Sequence, residues 1–578
     1  MDEVKLSIRG FEPEKKSGKE KKQSKFTAPD EIVPKTPLRI YDTHHYLFMD
    51  YFLLLVLLIS SFTAVVFTYE GFGYSWDEAY YYEPSKSAGD WMARMYKGDL
   101  LIEPSDINAY WGEIKELPAL PKMIIGAGIK VFSSNFDQLT SMRIPIAIVF
   151  ALTVALLFHI GLVNYGREAG IIAALSYFFM PRIFGEAHIA ATETIINFMI
   201  LLSTYLFCKG IKNLGWSIVF GIIFGLALNT KINTWLIPIV LIFWSQIYFR
   251  RDYGNNVFMM MFVAPIVLFF SWPWIWYDGP AKIIEFLSYF VSHHPISVFY
   301  FGKAYGWWEQ PCPWHYPLFM FLLTVPIPIL ILTTIGVIRT IFESHTKSTG
   351  ILFLLMAIFP ILISSMPNSP KYDGTRLFSS AFPFVALLAG VGFSGISESL
   401  PLWKRIKGNI YIKDVLIILV IFILAFLGYK NLKYYHPREL SYYNQLVGGT
   451  EKADSIGMEI TYWGEGLNNE VLNYLNDPNN IPLGSKIMPR AFNVSVFEDL
   501  KEWGILRQDL IFTQEPPVDF HLLQYRRGFF MTDDQFLVKF WTPIKTFGFK
   551  DVPIIMLYKT GANFENKRIK WKKELKEE

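Results

Sequence analysis

The chain has 578 residues, of which 52% are hydrophobic, 17% aromatic and only 18% charged, and its mean hydropathy is +0.28. A soluble protein of this length carries more charge and fewer long apolar runs. The formal net charge of +3 is too small to point to nucleic acid as a partner.

Residues 1–46 are polar, with six lysines between Lys15 and Lys25 and with Pro29, Pro34 and Pro37 close by. No short apolar stretch there ends at a small-residue cleavage site, so this is not a cleavable signal peptide. A disordered tail held on the cytoplasmic side by its lysines is expected.

A helix that crosses the hydrocarbon needs about 20 mostly apolar residues. Candidate spans lie near 47–68, 141–164, 168–182, 190–209, 214–229, 232–249, 256–277, 315–341, 349–366, 376–397 and 411–429, about eleven in all. The run from Met123 to Phe132 is too short to cross and is expected to lie in the interface or to re-enter. With the tail inside, every inner connection is basic: Arg167, then Lys209 and Lys212, Arg250 and Arg251, Arg339 and Lys347, and finally Lys404, Arg405 and Lys407. The first outer loop, 69–118, sets ten acidic residues against four basic ones. This is the positive-inside pattern, and an odd number of spans places residues 430–562 outside. There, turn signals at Gly448-Gly449 and Pro478-Asn479 punctuate a mixed pattern, with a helix at Glu470–Leu475 and a strand at Ile554–Tyr558. The expected fold class is therefore an all-α polytopic membrane protein with a small α/β C-terminal extracytoplasmic domain, followed by a charged, frayed tail at 563–578. Cys208 and Cys312 fall on opposite sides, so no disulfide is expected.

Several polar clusters stand out at the outer surface. The first loop begins Tyr74-Ser75-Trp76-Asp77-Glu78-Ala79-Tyr80-Tyr81-Tyr82. Interfacial aromatics and a tolerant outer loop explain it plainly. The alternative is a carboxylate held beside the bilayer to take a proton from an attacking hydroxyl. A second cluster, Arg182, Glu186, His188 and Glu193, sits close to or within a membrane segment, where ionisable groups are costly and face a cavity or a partner. Arg182 could simply neutralise one of these acids. A divalent metal on Asp77, Glu186 and His188 stays open as a weak alternative. Lys231 falls on the outer side against the usual lysine bias. The loop Pro370-Lys371-Tyr372-Asp373-Gly374-Thr375-Arg376 offers further cations suited to a lipid phosphate. Between 278 and 314, an amphipathic stretch at Ala281–Val291, His293-His294 and the aromatics Tyr300, Tyr305, Trp307 and Trp308 read as a membrane belt or lid ahead of a sugar platform.

Taken together, residues 47–430 resemble the GT-C glycosyltransferases, in the protein mannosyltransferase and aminoarabinose transferase branch (glycosyltransferase family 39-like). The carriers are Trp76-Asp77-Glu78, Leu117-Pro118-Ala119-Leu120-Pro121-Lys122, Arg143-Ile144-Pro145, Thr230-Lys231, Pro313-Trp314 and Tyr372-Asp373-Gly374 with Arg376. The chain departs from the pattern where the family has a histidine, since Glu116 or Leu117 stands there, and Glu193 replaces a frequent aspartate. The resemblance implies an inverting transfer of a sugar from a polyprenyl-phosphate-linked donor to a protein, lipid or polysaccharide acceptor on the extracytoplasmic face of the plasma membrane. It implies Asp77 as general base and Glu78 as a residue that positions acceptor or base. Lys231 and Arg376, and after them Lys371 and Arg182, would take the donor phosphate. Tyr81, Glu186, His188, Glu193 and Asp373 would line the substrate. No cofactor is required in that scheme, and a divalent metal is optional. Two competing readings are a transporter or flippase of a lipid-linked sugar and a non-catalytic membrane scaffold. The lack of an internal repeat and the gathering of charge on one face weigh against the first.

Overall fold

The computed structural model describes residues 46–577, apart from 115–116, 251, 292–295, 307–309, 344–346, 368, 400–404 and 408–409. The lysine-rich tail, His293-His294 and the Trp307-Trp308 pair lie outside the described residues.

The first two thirds of the chain are helical. Helices α1 (Phe48–Val66), α2 (Trp76–Tyr96), α3 (Pro104–Trp111), α4 (Ala119–Phe132), α5 (Gln138–Tyr165), α6 (Arg167–Phe178), α7 (Pro181–Glu186), α8 (Thr192–Gly210), α9 (Leu214–Leu228) and α10 (Ile237–Tyr248) follow one another with short connections. Among the described residues, six helices are long and apolar enough to cross a membrane: Phe48–Gly71, Gln138–Tyr165, Gly254–Ser271, Ser348–Ser365, Arg376–Ser399 and Ile412–Tyr435. A bent pair raises the number to seven, so the expected eleven is not reached by that measure. The difference lies in helices such as α6, of 12 residues, and α9, of 15, which are too short to cross alone. The protein is a polytopic membrane protein whose outer helices present apolar side chains outward. Ile418, Phe422 and Phe426 on Ile412–Tyr435 are each more than half exposed, as lipid-facing positions are.

The expected single span at 315–341 is broken. Tyr316–Thr324 and Ile327–Phe342 meet at 115°, because Pro326 supplies no N–H and cannot continue the first helix. The carbonyls this frees are taken up from the C-terminal part of the chain. Asn444 Nδ2 donates to Leu322 O and Val325 O, both at 2.7 Å, and its backbone N–H donates to Leu323 O at 2.8 Å. A break in a membrane helix persists only where such partners exist.

Two short hairpins, β1 (Val298–Tyr300) with β2 (Lys303–Tyr305) and β3 (Arg405–Lys407) with β4 (Ile410–Tyr411), lie between helices. Beyond Tyr435 the chain builds a mixed five-stranded sheet from β5 (Lys486–Arg490), β6 (Ile511–Phe512), β7 (Phe520–Gln524), β8 (Lys545–Phe549) and β9 (Val552–Lys559). The order is β6-β5-β7-β9-β8, parallel around β5 and antiparallel around β9. The expected helix and strand appear as Asn469–Asn476 and β9. The terminal segment is not frayed. Ala562–Glu577 is a helix, held because Phe564 and Trp571, two turns apart on one face, pack against Phe536.

This domain sits against the start of the first loop. Gly73 N–H donates to Glu465 O at 3.1 Å and Trp76 N–H to Trp463 O at 3.0 Å. A Cβ on Gly73 would lie 2.3 Å from the Leu467 carbonyl carbon, so no larger residue permits this approach.

Candidate active site

The site starts at the N-terminus of α2. Ser75 is its N-cap and Glu78 its N3 residue, and they form a reciprocal capping box. The Ser75 hydroxyl accepts from the Glu78 N–H at 3.2 Å, and Glu78 Oε2 accepts from the Ser75 N–H at 3.0 Å. Glu78 is wholly buried and also holds Arg143 in a two-pronged ion pair, with Nε to Oε1 at 2.7 Å and Nη2 to Oε2 at 2.8 Å. The Ala190 N–H adds a further donor at 3.0 Å. Arg143 spends its remaining N–H groups on the carbonyls of Tyr69, Phe72 and Gly73. Glu78 is therefore bound up as an anchor that ties α2 to α5 and to the loop before α8.

Asp77, one residue earlier on the helix, points elsewhere. Its Oδ2 meets Arg376 Nη2 at 2.5 Å. Arg376 is the hub of the site: its Nε reaches Glu193 Oε1 at 2.8 Å and its Nη1 reaches Asp373 Oδ2 at 3.1 Å. Lys231 Nζ donates to the same Glu193 oxygen at 2.9 Å. The Asp77 carboxyl is raised to about 6: burial lifts it most, Arg376 pulls it down, and the charges of Glu193 and Asp373 push it up.

Local structure explains how these groups converge. Asp373 and Gly374 both have left-handed backbone, φ 53° and 65°, a turn that aspartate tolerates and glycine adopts freely. The turn brings Arg376 back over Asp373, and a Cβ on Gly374 would lie 2.5 Å from Arg182 Nη1. Lys231 is placed by its neighbour Asn229, whose side chain and carbonyl accept the Ala119 and Leu120 N–H groups at the start of α4. The Pro118–Lys122 and Thr230-Lys231 segments thus meet.

The other sequence candidates divide. Glu193 and Asp373 belong to the network. Tyr81 is buried near Glu193, with its hydroxyl on Thr192. Arg182 and Glu186 line a small cavity that also borders Asp373. Burial and the charge of Glu193 push the Glu186 carboxyl up to about 8. Lys371 lies apart, its ammonium donating to the carbonyls of Met366 and Ser369 in its own loop at 2.8 and 3.1 Å. His188 is also committed elsewhere: its ring nitrogens lie 2.7 Å from the Thr68 hydroxyl and 2.7 Å from Phe184 O, and the ring stacks on Phe72. Among the described residues no group of three or more His, Cys, Asp or Glu could hold one metal ion, so Asp77, Glu186 and His188 do not form the ligand set considered from sequence.

The C-terminal domain supplies residues that the sequence did not single out. Arg526 Nη2 pairs with Asp373 Oδ1 at 2.7 Å, and its guanidinium lies over the rings of Trp76 and Phe529. The Trp463 ring faces Arg376, 5.3 Å from its guanidinium carbon. Three carboxylates, Asp77, Glu193 and Asp373, are thus matched by three cations, Arg376, Lys231 and Arg526. The Gly-flanked aromatic run Tyr462-Trp463-Gly464 and the pair Arg526-Arg527 were the available signals.

Fold and site together describe a polytopic membrane protein with a buried, charge-balanced cluster where its helical part meets a C-terminal domain. Residues 117–277 match the family model of the dolichyl-phosphate-mannose-protein mannosyltransferases, in line with the resemblance carried by the motifs; that segment holds Arg143, Arg182, Glu193 and Lys231. No curated protein matches the chain. Among solved structures, ArnT from Cupriavidus metallidurans bound to undecaprenyl phosphate is similar with a TM-score of 0.47 at 12% identity, over 88% of this chain and 98% of that one. The apo oligosaccharyltransferase of Archaeoglobus fulgidus gives 0.46 at 12% identity, over 78% and 64%. AglB from the same organism, in complex with an inhibitory peptide and a dolichol-phosphate, gives 0.43 at 10% identity, over 90% and 77%.

Proposed function

We propose that the protein is an inverting glycosyltransferase that moves a sugar from a polyprenyl-phosphate-linked donor to an acceptor hydroxyl on the extracytoplasmic face. The observation that carries this reading is the pairing of Asp77 with Arg376 at 2.5 Å, with Lys231 one carboxylate away. The family match over 117–277, to proteins whose name includes a polyprenyl-phosphate sugar, supports it.

In this reading Asp77 takes the proton of the acceptor as the acceptor atom forms its bond to the anomeric carbon. The bond from that carbon to the phosphate oxygen breaks, and its electron pair leaves with the polyprenyl phosphate. Arg376 and Lys231 stabilise the charge that develops on the leaving group, and their carboxylate partners hold them in place beforehand. Attack from the face opposite the phosphate inverts the anomeric centre. Glu78 acts through the backbone: by fixing Ser75 and Arg143 it fixes the direction in which Asp77 leaves the helix.

The test is reconstitution of the purified protein in liposomes with polyprenyl-phosphate-linked sugars and a mixed pool of acceptors. Release of polyprenyl phosphate together with a glycoside of inverted configuration is expected. Passage of the intact lipid-linked sugar between leaflets without release would contradict the reading and favour a flippase.

A further inference from the structure

Arg182, Glu186 and Trp463 are each only 3% exposed, and all three line one small cavity together with Asp373 and Tyr462. Each leaves a buried polar atom without a hydrogen-bond partner: Arg182 Nη2, Glu186 Oε2 and Trp463 Nε1. Buried polar atoms are nearly always paired. Three unpaired atoms on residues of one cavity mark a place for a polar group that is not part of the chain, a water or a ligand group.

The chemistry of the orphans specifies that group. Arg182 Nη2 and Trp463 Nε1 can only donate, and a carboxyl oxygen of Glu186 can accept. A hydroxyl has two lone pairs to receive the two donors and one proton to give to the carboxyl. A phosphate or carboxylate would satisfy the donors but has no proton to give the Glu186 oxygen. An ammonium would satisfy Glu186 but repel Arg182. The remaining guanidinium edge of Arg182 is already fixed, since its Nε donates to Tyr442 O at 3.1 Å and the group lies over the rings of Tyr443 and Tyr462. The donor is thus held in place before any ligand arrives.

Position selects the source of the hydroxyl. The cavity shares Asp373 and Trp463 with the surroundings of Arg376, the cation assigned above to the donor phosphate. A sugar joined directly to a phosphate on Arg376 would lie beside these shared residues.

Resting on the transfer reading, we infer that Arg182, Glu186 and Trp463 form a subsite that recognises one hydroxyl of the transferred sugar and so sets donor selectivity. A site built to hydrogen-bond a substrate hydroxyl discriminates strongly against the analogue lacking it, because its own polar groups are then left unpaired.

The experiment compares polyprenyl-phosphate hexoses with their monodeoxy analogues, read as polyprenyl phosphate released, in the full-length protein and in Glu186→Gln and Trp463→Phe. Phenylalanine keeps an aromatic ring beside Arg376 and removes the indole N–H together with the rest of the pyrrole ring, and it serves if the glutamine variant fails to fold. The wild-type protein is expected to discriminate against one particular deoxy position by at least about tenfold in kcat/KM, and each variant to bring that ratio towards one. Retention of the full ratio in both variants, with wild-type transfer intact, would overturn the subsite and leave the transferase reading standing. So would a change confined to the KM of the acceptor. If the wild-type protein releases polyprenyl phosphate from no donor, the transfer reading fails, and the subsite with it.

Discussion

Arg526 and Asp373 form a buried ion pair, Nη2 to Oδ1 at 2.7 Å with each side chain only 2–3% exposed, that joins the C-terminal domain to the loop carrying Arg376. Removing one partner of such a pair leaves an uncompensated buried charge and costs about 3–5 kcal/mol. Arg526→Ala is therefore expected to lower the thermal unfolding midpoint and abolish transfer. Arg526→Lys is expected to restore little of either, because an ammonium cannot reproduce the planar contact with Trp76 and Phe529. Thermal melts of detergent-solubilised protein, run beside the release assay, check both statements.

Glu78 and Asp77 are adjacent but do different things. Glu78→Gln breaks the two-pronged pair with Arg143, so a loss of stability of the same order, about 3–5 kcal/mol, is expected. Asp77→Asn, which leaves Arg376 paired with Glu193 and Asp373, is expected to cost less and to remain folded. Size-exclusion profiles and melting midpoints of the two variants separate a folding role from a chemical one.

The carboxyl of Asp77 is raised to about 6, chiefly by burial. A general base works only when unprotonated, so kcat/KM is expected to fall as pH drops through about 6 and to level off above it. The folded state holds this proton more tightly than an unfolded aspartate, with its ordinary value of 3.8, does. The site therefore contributes most to stability below about 4 and loses that contribution as pH rises towards 6. Because Asp77 and Glu193 share Arg376, the acidic limb belongs to the cluster as a whole. A pH–rate profile checks the sign. A rate that rises as pH drops below 6 would contradict it.

Arg376 meets its three carboxylates with three different nitrogens, and a single ammonium cannot hold all three. Arg376→Lys is expected to lower the transfer rate about 100-fold or more. Lys231→Ala, which removes only one contact to Glu193, should reduce it less, and in kcat rather than in the KM for the donor. Initial rates against donor concentration distinguish the two.

Much of the architecture is written in the chain. Hydropathy locates the helical segments, and Glu470–Leu475 and Ile554–Tyr558 form the helix and strand expected of them. The number of crossings is harder to read, because a hydropathy window does not distinguish a full span from a 12- or 15-residue helix, nor register the 115° bend at Pro326. Polar residues could be recognised as unusual, but their partners could not. Asp77, Glu193, Lys231, Asp373 and Arg376 come from separate segments, and only folding brings them together. The capping box Ser75-x-x-Glu78 was visible as a spacing, and would have marked Glu78 as half of a helix cap. Lys371 looked like a phosphate ligand because sequence cannot show the carbonyls of Met366 and Ser369 that occupy it. Arg526 carried no local signal beyond its neighbour Arg527.

The central claim, that Asp77 is the base of a sugar transfer, is tested most directly by the rate of polyprenyl phosphate release in Asp77→Asn. The variant is expected to fold and to keep the lipid-linked donor bound, and to release polyprenyl phosphate at least about 100-fold more slowly than the wild type. Release at the wild-type rate by a correctly folded Asp77→Asn protein would contradict the account.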